Sequence, residues 1–68
     1  MAKRNLNRIK AVLAEQNITN RELANRLDKA ETTVSRWCTN DMQPSVETLY
    51  QIAKLLDVDI RELLVKTK

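Results

Sequence analysis

The stretch Glu22–Trp37, ELANRLDKAETTVSRW, decides the fold because it holds two segments of helical spacing with almost no room between them. The pattern predicts that one helix ends near Leu27 and that the next runs from about Glu31 to Cys38. Residues 28–30, DKA, are all that joins them. So short a connection forces a sharp turn, and the two helices must cross closely.

The beginning of the first of these two helices is marked by a capping box. Thr19 and Glu22 have the spacing in which a threonine hydroxyl caps one free amide and a glutamate reaches back to another. Ile18 and Leu23 flank the cap as a hydrophobic staple. We therefore expect this helix to begin directly after Thr19.

Three further segments show helical spacing and none shows the alternation of a strand. The first covers about Leu6 to Gln16, and another follows Ser45, which is a suitable N-cap. The last begins at a second predicted capping box, Asp59 with Glu62, and reaches about Leu64. The sequence thus predicts an all-α fold of five helices.

The length and composition fit one small domain, which we expect over residues 1–68 with its core at about 6–65. Hydrophobic residues make up 43% of the chain, too many for a disordered tail. With one cysteine and no histidine, neither an internal disulfide nor a cysteine–histidine zinc site is expected. No apolar run has the length of a membrane span, so we expect a cytoplasmic protein.

Positive charge is unevenly distributed. Residues 1–40 carry eight basic and four acidic side chains, whereas residues 41–68 carry four and five. A basic half suits a polyanionic partner. A solvated surface with an accidental imbalance explains the charges equally well.

The chain contains no glycine, although four tight turns are predicted. Asn17, Asp28, Asn40 and Asp57 fall at those turns. Asparagine and aspartate are the non-glycine residues that best tolerate a positive φ angle. We expect them to replace glycine, the alternative being ordinary polar loop residues.

The third helix has a thin apolar stripe, Val34 and Trp37, so it buries one edge and exposes the rest. Its polar residues are of types that read base edges in the DNA major groove. Arginine pairs with guanine, glutamate accepts from cytosine N4, and a threonine methyl contacts the thymine methyl. A merely solvated helix face remains the alternative at this point.

Three stretches together resemble the Cro/C1-type repressor helix-turn-helix, also called the XRE family. Residues 22–37 resemble its helix-turn-helix, residues 44–58 its fourth helix and the following turn, and residues 59–64 its fifth helix. The resemblance covers about residues 6–65. It implies a compact, five-helix, lambda-repressor-like domain that binds double-stranded DNA.

The resemblance also implies which residues contact DNA. One group falls on the family's base-reading positions in the third helix: Glu31, Thr32, Thr33 and Arg36, with Ser35 a weaker candidate. A second group falls where phosphate contacts are expected: Arg8, Asn20, Lys29, Thr39 and Asn40. No metal or other cofactor is implied.

The chain departs from the family pattern at three informative positions. Ala30 stands where a serine cap is common, and alanine cannot cap a helix. Leu13 and Cys38 stand where some phage repressors hold a buried ion pair. Because both members of that ion pair are replaced by apolar residues, we expect Cys38 to be a small core residue and not a nucleophile.

These observations predict a sequence-specific transcriptional regulator, repressor-like, that acts as a homodimer on a palindromic operator at the nucleoid. The alternative is a protein-interaction module or antitoxin subunit of the same fold, with a cognate toxin as partner. An enzyme is not expected, since there is no histidine, glycine-rich phosphate loop or cluster of carboxylates.

Overall fold

The computed structural model describes residues 5–66, which form four α-helices and one short 3-10 helix. In chain order they are α1 (Ile9–Glu15), α2 (Asn20–Leu27), α3 (Glu31–Cys38), α4 (Val46–Leu56) and the 3-10 helix (Ile60–Leu63). α2 packs against α3, and α4 packs against α2 and the 3-10 helix. Between residues 5 and 66, no helix is long and apolar enough to cross a membrane.

Two of the predicted helix starts are confirmed by their hydrogen bonds. The Thr19 hydroxyl accepts from the Glu22 N–H at 3.1 Å while the Glu22 carboxylate accepts from the Thr19 N–H, which completes the capping box. Ser45 caps α4 by accepting from the Thr48 N–H at 3.1 Å. Both pairs satisfy amides that would otherwise lack a partner in the first helical turn.

The four predicted glycine substitutes all have positive φ angles. The values are 57° at Asn17, 57° at Asp28, 62° at Asn40 and 55° at Asp57. These residues follow the C-terminal ends of the four α-helices, where the left-handed conformation turns the chain out of the helix. The prediction from the absent glycines is therefore confirmed at every position.

The fifth element is a 3-10 helix and not a fifth α-helix, which corrects the predicted count. The predicted capping box at its start is also wrong, because the Asp59 carboxylate accepts from the Arg61 N–H at 2.8 Å and not from the Glu62 N–H. The Glu62 N–H instead donates to the Asp59 carbonyl at 2.8 Å. This bond three residues apart closes the tighter 3-10 turn.

α1 begins at Ile9, three residues later than predicted, because the backbone before it forms other contacts. The Asn40 side-chain oxygen accepts from the N–H groups of Leu6 and Asn7, at 2.9 and 3.1 Å. Asn7 also forms an isolated antiparallel bridge with Leu64. Leu6 is consequently 49% exposed and does not belong to the core.

One hydrophobic core joins all five elements. Ile9, Leu23, Val34, Ile52 and Leu63 are completely buried in it. The remaining buried hydrophobic residues are Val12, Leu13, Ala24, Trp37, Cys38, Leu49, Ala53 and Leu56. Leu13 and Cys38 are thus both core residues, as predicted from the replacement of both members of the buried ion pair by apolar residues.

Candidate nucleic-acid interface

The turn between α2 and α3 is fixed by backbone hydrogen bonds. Asp28 adopts φ 57° and ψ 45°, and the following N–H of Lys29 donates to the Ala24 carbonyl at 2.9 Å. Ala24 is buried, and its single methyl group lets the two helices approach closely. This geometry sets the orientation of α3 against α2.

α3 divides into a buried edge and an outward face. Val34, Trp37 and Cys38 are buried in the core. Of the predicted base-reading residues, Glu31, Thr32 and Arg36 are exposed, whereas Thr33 is half-buried. Ser35, the weaker candidate, is also half-buried. None of the four predicted base-reading residues is buried in the core, so their side chains are available to a partner.

Glu31, the first residue of α3, forms an ion pair with a basic residue that the sequence did not single out. The Arg21 Nε lies 3.6 Å from the Glu31 carboxylate, and both side chains are largely exposed. Arg21 is the second residue of α2, so the pair links the N-terminal ends of the two helices. No local sequence pattern reports this contact, because it depends on how the helices cross.

Asn20, the first residue of α2, has a buried partner. The Cys38 thiol donates a hydrogen bond to the Asn20 side-chain oxygen at 3.4 Å. Burial raises the pKa of the Cys38 thiol, and the positive charge of Lys10 opposes the effect only in part. The thiol therefore stays protonated and keeps its role as a donor. The side-chain NH₂ group of Asn20 remains for a ligand.

Two of the predicted phosphate contacts are used by the fold itself. The Asn40 side chain bonds the backbone of Leu6 and Asn7 and accepts from Gln43 at 3.0 Å. The Arg8 guanidinium donates to the Glu62 carbonyl at 2.9 Å. It also lies 3.8 Å from the carboxylates of Glu15 and Glu62.

Of the three other predicted phosphate contacts, Asn20 is half-buried, and Lys29 and Thr39 are exposed. Lys29 lies in the turn between α2 and α3. Thr39 follows α3, and its hydroxyl contacts the Arg36 carbonyl at 3.3 Å and the Asp41 carboxylate at 3.2 Å. Asn20 begins α2, Lys29 lies just after α2 and Thr39 just after α3, so all three lie at the ends of the two helices.

Asn7 has a structural role that the sequence analysis did not recognise. It is buried, and its NH₂ group donates to the Trp37 carbonyl at 2.9 Å and to the Gln43 side-chain oxygen at 2.7 Å. Its own oxygen accepts from the Ile9 N–H at 3.1 Å. Asn7 thereby fastens the end of α3 to the beginning of α1.

The outward face of α3 contributes to neither of two grooves on the described part of the chain. The larger groove, about 960 Å³, lies at the paired chain ends and is lined by Arg8, Arg61 and Glu62 among others. A second, about 330 Å³, lies between α2 and α4, with Arg26 and Lys54 at its edge. α3 contributes to neither groove. A projecting helix of this kind suits insertion into a macromolecular groove more than enclosure of a small molecule.

Comparisons with known proteins agree with this geometry. The family model described as helix-turn-helix matches residues 9–63. A crystal structure described as that of "a putative DNA-binding protein from Bacteroides fragilis" is 55% identical and superposes with a TM-score of 0.87. The match covers 88% of this chain and 97% of that one. No protein of curated function shows a significant match. With the family model matched across all five elements, the chain belongs to the Cro/C1-type (XRE) helix-turn-helix family.

Proposed function

We propose that this protein is a transcriptional regulator that binds double-stranded DNA in a sequence-specific manner, with α3 in the major groove. The observation that carries the proposal is the outward face of α3, which presents polar side chains while its other edge is fixed in the core. The name of the structural relative, which is 55% identical, supports DNA binding. An exposed recognition helix positioned by a preceding helix is how helix-turn-helix proteins read DNA.

Each exposed residue of α3 has a base edge that suits it. Arg36 matches the two acceptors of guanine, and Glu31 matches the donor of cytosine. Thr32 offers a methyl group to thymine, and the half-buried Thr33 reaches less far. We therefore expect Arg36 to carry the strongest single preference, because its contact with guanine uses two hydrogen bonds.

Phosphate contacts would come from the ends of α2 and α3. The N-terminal amides of α2 favour an anion, and Asn20 adds its side-chain NH₂ group. Lys29 and Thr39, both exposed, follow the C-terminal ends of α2 and α3. The internal hydrogen bonds of Arg8 and Asn40 support a different role for these two residues, which is to hold the N-terminal segment in place.

We also propose that the protein acts as a homodimer on a two-fold symmetric operator in the cytoplasm, at the nucleoid, and represses by occupying that site. One recognition helix makes few base contacts, and pairing two of them across a dyad raises affinity and specificity. Leu6, Leu64 and Val65 are exposed apolar side chains at the paired chain ends. They are the candidate surface for contact between protomers.

The test is a selection of bound sequences from a random duplex pool at near-physiological salt. Wild type, Arg36→Ala and Arg26→Ala are compared side by side. Arg26 is the matched control because it is also an exposed arginine but lies in the last turn of α2, at the groove next to α4. We expect a symmetric motif for wild type and the control, and a relaxed preference at one base pair for Arg36→Ala.

The opposite result is equally informative. If wild type enriches no motif and binds only weakly, with binding that disappears as salt rises, then only non-specific phosphate attraction is present. The function would then be that of a protein-interaction module or an antitoxin subunit on the same fold.

A further inference from the structure

The N-terminal residue of α3 presents an electrostatic problem for DNA binding. Glu31 is exposed on the face proposed to enter the major groove, where its carboxylate is repelled by the phosphates. The partial positive charge at the N-terminus of α3 offsets this repulsion only in part. A positively charged side chain next to the carboxylate would offset the repulsion further.

Arg21 supplies that positive charge from a different helix. Its Nε lies 3.6 Å from the Glu31 carboxylate, and the side chains are 78% and 54% exposed. Ion pairs as exposed as this one contribute little to folding. The pair is therefore dispensable for the fold, yet it lies on the proposed interface. When DNA displaces the surrounding water, the attraction between the two charges strengthens.

The chemistry of the pair selects a particular base. A carboxylate only accepts hydrogen bonds, so in the major groove it can be satisfied by cytosine N4 or adenine N6. Adenine also presents N7, an acceptor that repels a carboxylate beside the donor, whereas cytosine presents the donor alone.

We propose that Arg21 is a specificity-determining residue of this protein, which positions and neutralises Glu31 so that α3 reads cytosine at one operator position. The inference rests on the proposed function, because it requires an operator. It adds a positioning residue to the site and names the base that the site recognises there.

The experiment measures dissociation constants for operator duplexes obtained from the random pool. The position read by Glu31 is the one whose preference is relaxed in Glu31→Gln. Duplexes with each of the four bases at that position are then bound to wild type, Arg21→Ala, Glu31→Gln, the double variant and Arg26→Ala. Arg26→Ala removes the same charge from the same helix, and thermal unfolding verifies that every variant is folded.

We expect wild type to prefer cytosine there by roughly tenfold or more, the size of one good base contact. Arg21→Ala should weaken operator binding by about tenfold and reduce this preference, since it leaves an unpaired carboxylate facing phosphate. Arg26→Ala should lose at most about threefold and keep the preference. In the Glu31→Gln background, Arg21→Ala should cost no more than Arg26→Ala does, because no carboxylate remains to be neutralised.

Three results would overturn the inference. Equal losses of operator affinity for Arg21→Ala and Arg26→Ala in both backgrounds would show that Arg21 contributes only non-specific positive charge. A preference for another base at the Glu31 position would contradict the base assignment while leaving the proposed function intact. If wild type selects no operator at all, the proposed function fails and this inference fails with it.

Discussion

At the scale of single residues, Cys38 connects the core with the proposed interface. It is 8% exposed, and its thiol donates to the side chain of Asn20. Burial disfavours the charged thiolate, so the pKa of Cys38 lies above its ordinary value of 9.0, with Lys10 opposing the shift in part. Cys38 therefore acts as a neutral donor.

The raised pKa predicts how the contribution of Cys38 to stability depends on pH. In the unfolded chain the thiol loses its proton near pH 9, whereas in the folded chain it retains the proton to a higher pH. The contribution is therefore complete below pH 9 and is lost as the pH rises through the folded-state pKa. We expect Cys38→Ala to cost about 1 kcal/mol at pH 7, and we expect this difference to shrink above pH 9.

Urea unfolding of wild type and Cys38→Ala at pH 7, 9 and 10 measures this difference directly. Lysine and tyrosine titrate in both proteins, so their effects cancel in the comparison. Cys38→Ser is the second control, since a serine hydroxyl can donate to Asn20 but does not ionise in this range. A difference that stays constant to pH 10 would show that the folded thiol titrates as in the unfolded chain.

Residue-level prediction succeeded where the cause is local and failed where it is tertiary. Asp28 and Asp57 were recognised as left-handed residues because the conformational preference belongs to the residue itself. The role of Asn7 was missed because its partners lie 30 and 36 residues away. Arg21 was missed for the same reason, since its partner is on the next helix.

At the scale of elements, the starts of α2 and α4 were predictable, whereas those of α1 and the 3-10 helix were not. The caps of α2 and α4 involve residues three apart, which a sequence pattern records directly. The backbone before α1 is instead engaged by Asn40, whose side-chain oxygen accepts from the N–H groups of Leu6 and Asn7. A pattern limited to neighbouring residues cannot report a hydrogen bond across 34 positions.

α3 is the one helix of the helix-turn-helix without a side-chain cap, so it offers a stabilising substitution. Ala30 has the extended conformation of an N-cap, φ −71° and ψ 143°, but no side-chain acceptor. In Ala30→Ser the hydroxyl can accept from an N–H in the first turn of α3. We expect a gain of about 1 kcal/mol, or a melting temperature higher by about 4–8 °C in a chain of this size.

Thermal unfolding of wild type, Ala30→Ser and Ala14→Ser tests this prediction. Ala14 is exposed near the end of α1, and the same change there introduces serine into a helix without a capping position. We expect Ala14→Ser to destabilise slightly, by about 0.5 kcal/mol. If both serine variants lower the melting temperature equally, then the N-cap of α3 is already satisfied in another way.

At the scale of the whole molecule, the size of the fold limits what one copy can recognise. The molecule measures 30 × 25 × 22 Å, and the proposed function uses one of its helices, α3, to read the DNA. A module of this kind covers roughly 600–1,000 Å² of DNA-facing surface, less than most specific complexes bury. The short turn at residues 28–30 indicated the helix-turn-helix from the sequence, whereas the pairing of Asn7 with Leu64, which brings the exposed Leu6 close to Leu64 and Val65, appears only in the folded chain.

If two copies bind one operator, the salt dependence of binding should reveal it. Each protomer displaces the same number of counterions, so the slope of log K against log salt for a full operator should be about twice that for a half-site. Inserting five base pairs at the dyad turns the second half-site to the opposite side of the duplex. We expect this insertion to reduce affinity to about that of a half-site.

Fluorescence anisotropy with labelled duplexes between about 50 and 200 mM salt provides these slopes for the operator, the half-site and the insertion. Leu64→Asp is the matching protein variant, because Leu64 is exposed and a charge there should impair contact between protomers without entering the core. It should bind the half-site like wild type and lose the extra affinity for the operator. Equal slopes for operator and half-site would mean that one copy binds the DNA alone, which would contradict the proposed homodimer without contradicting the proposed role of α3.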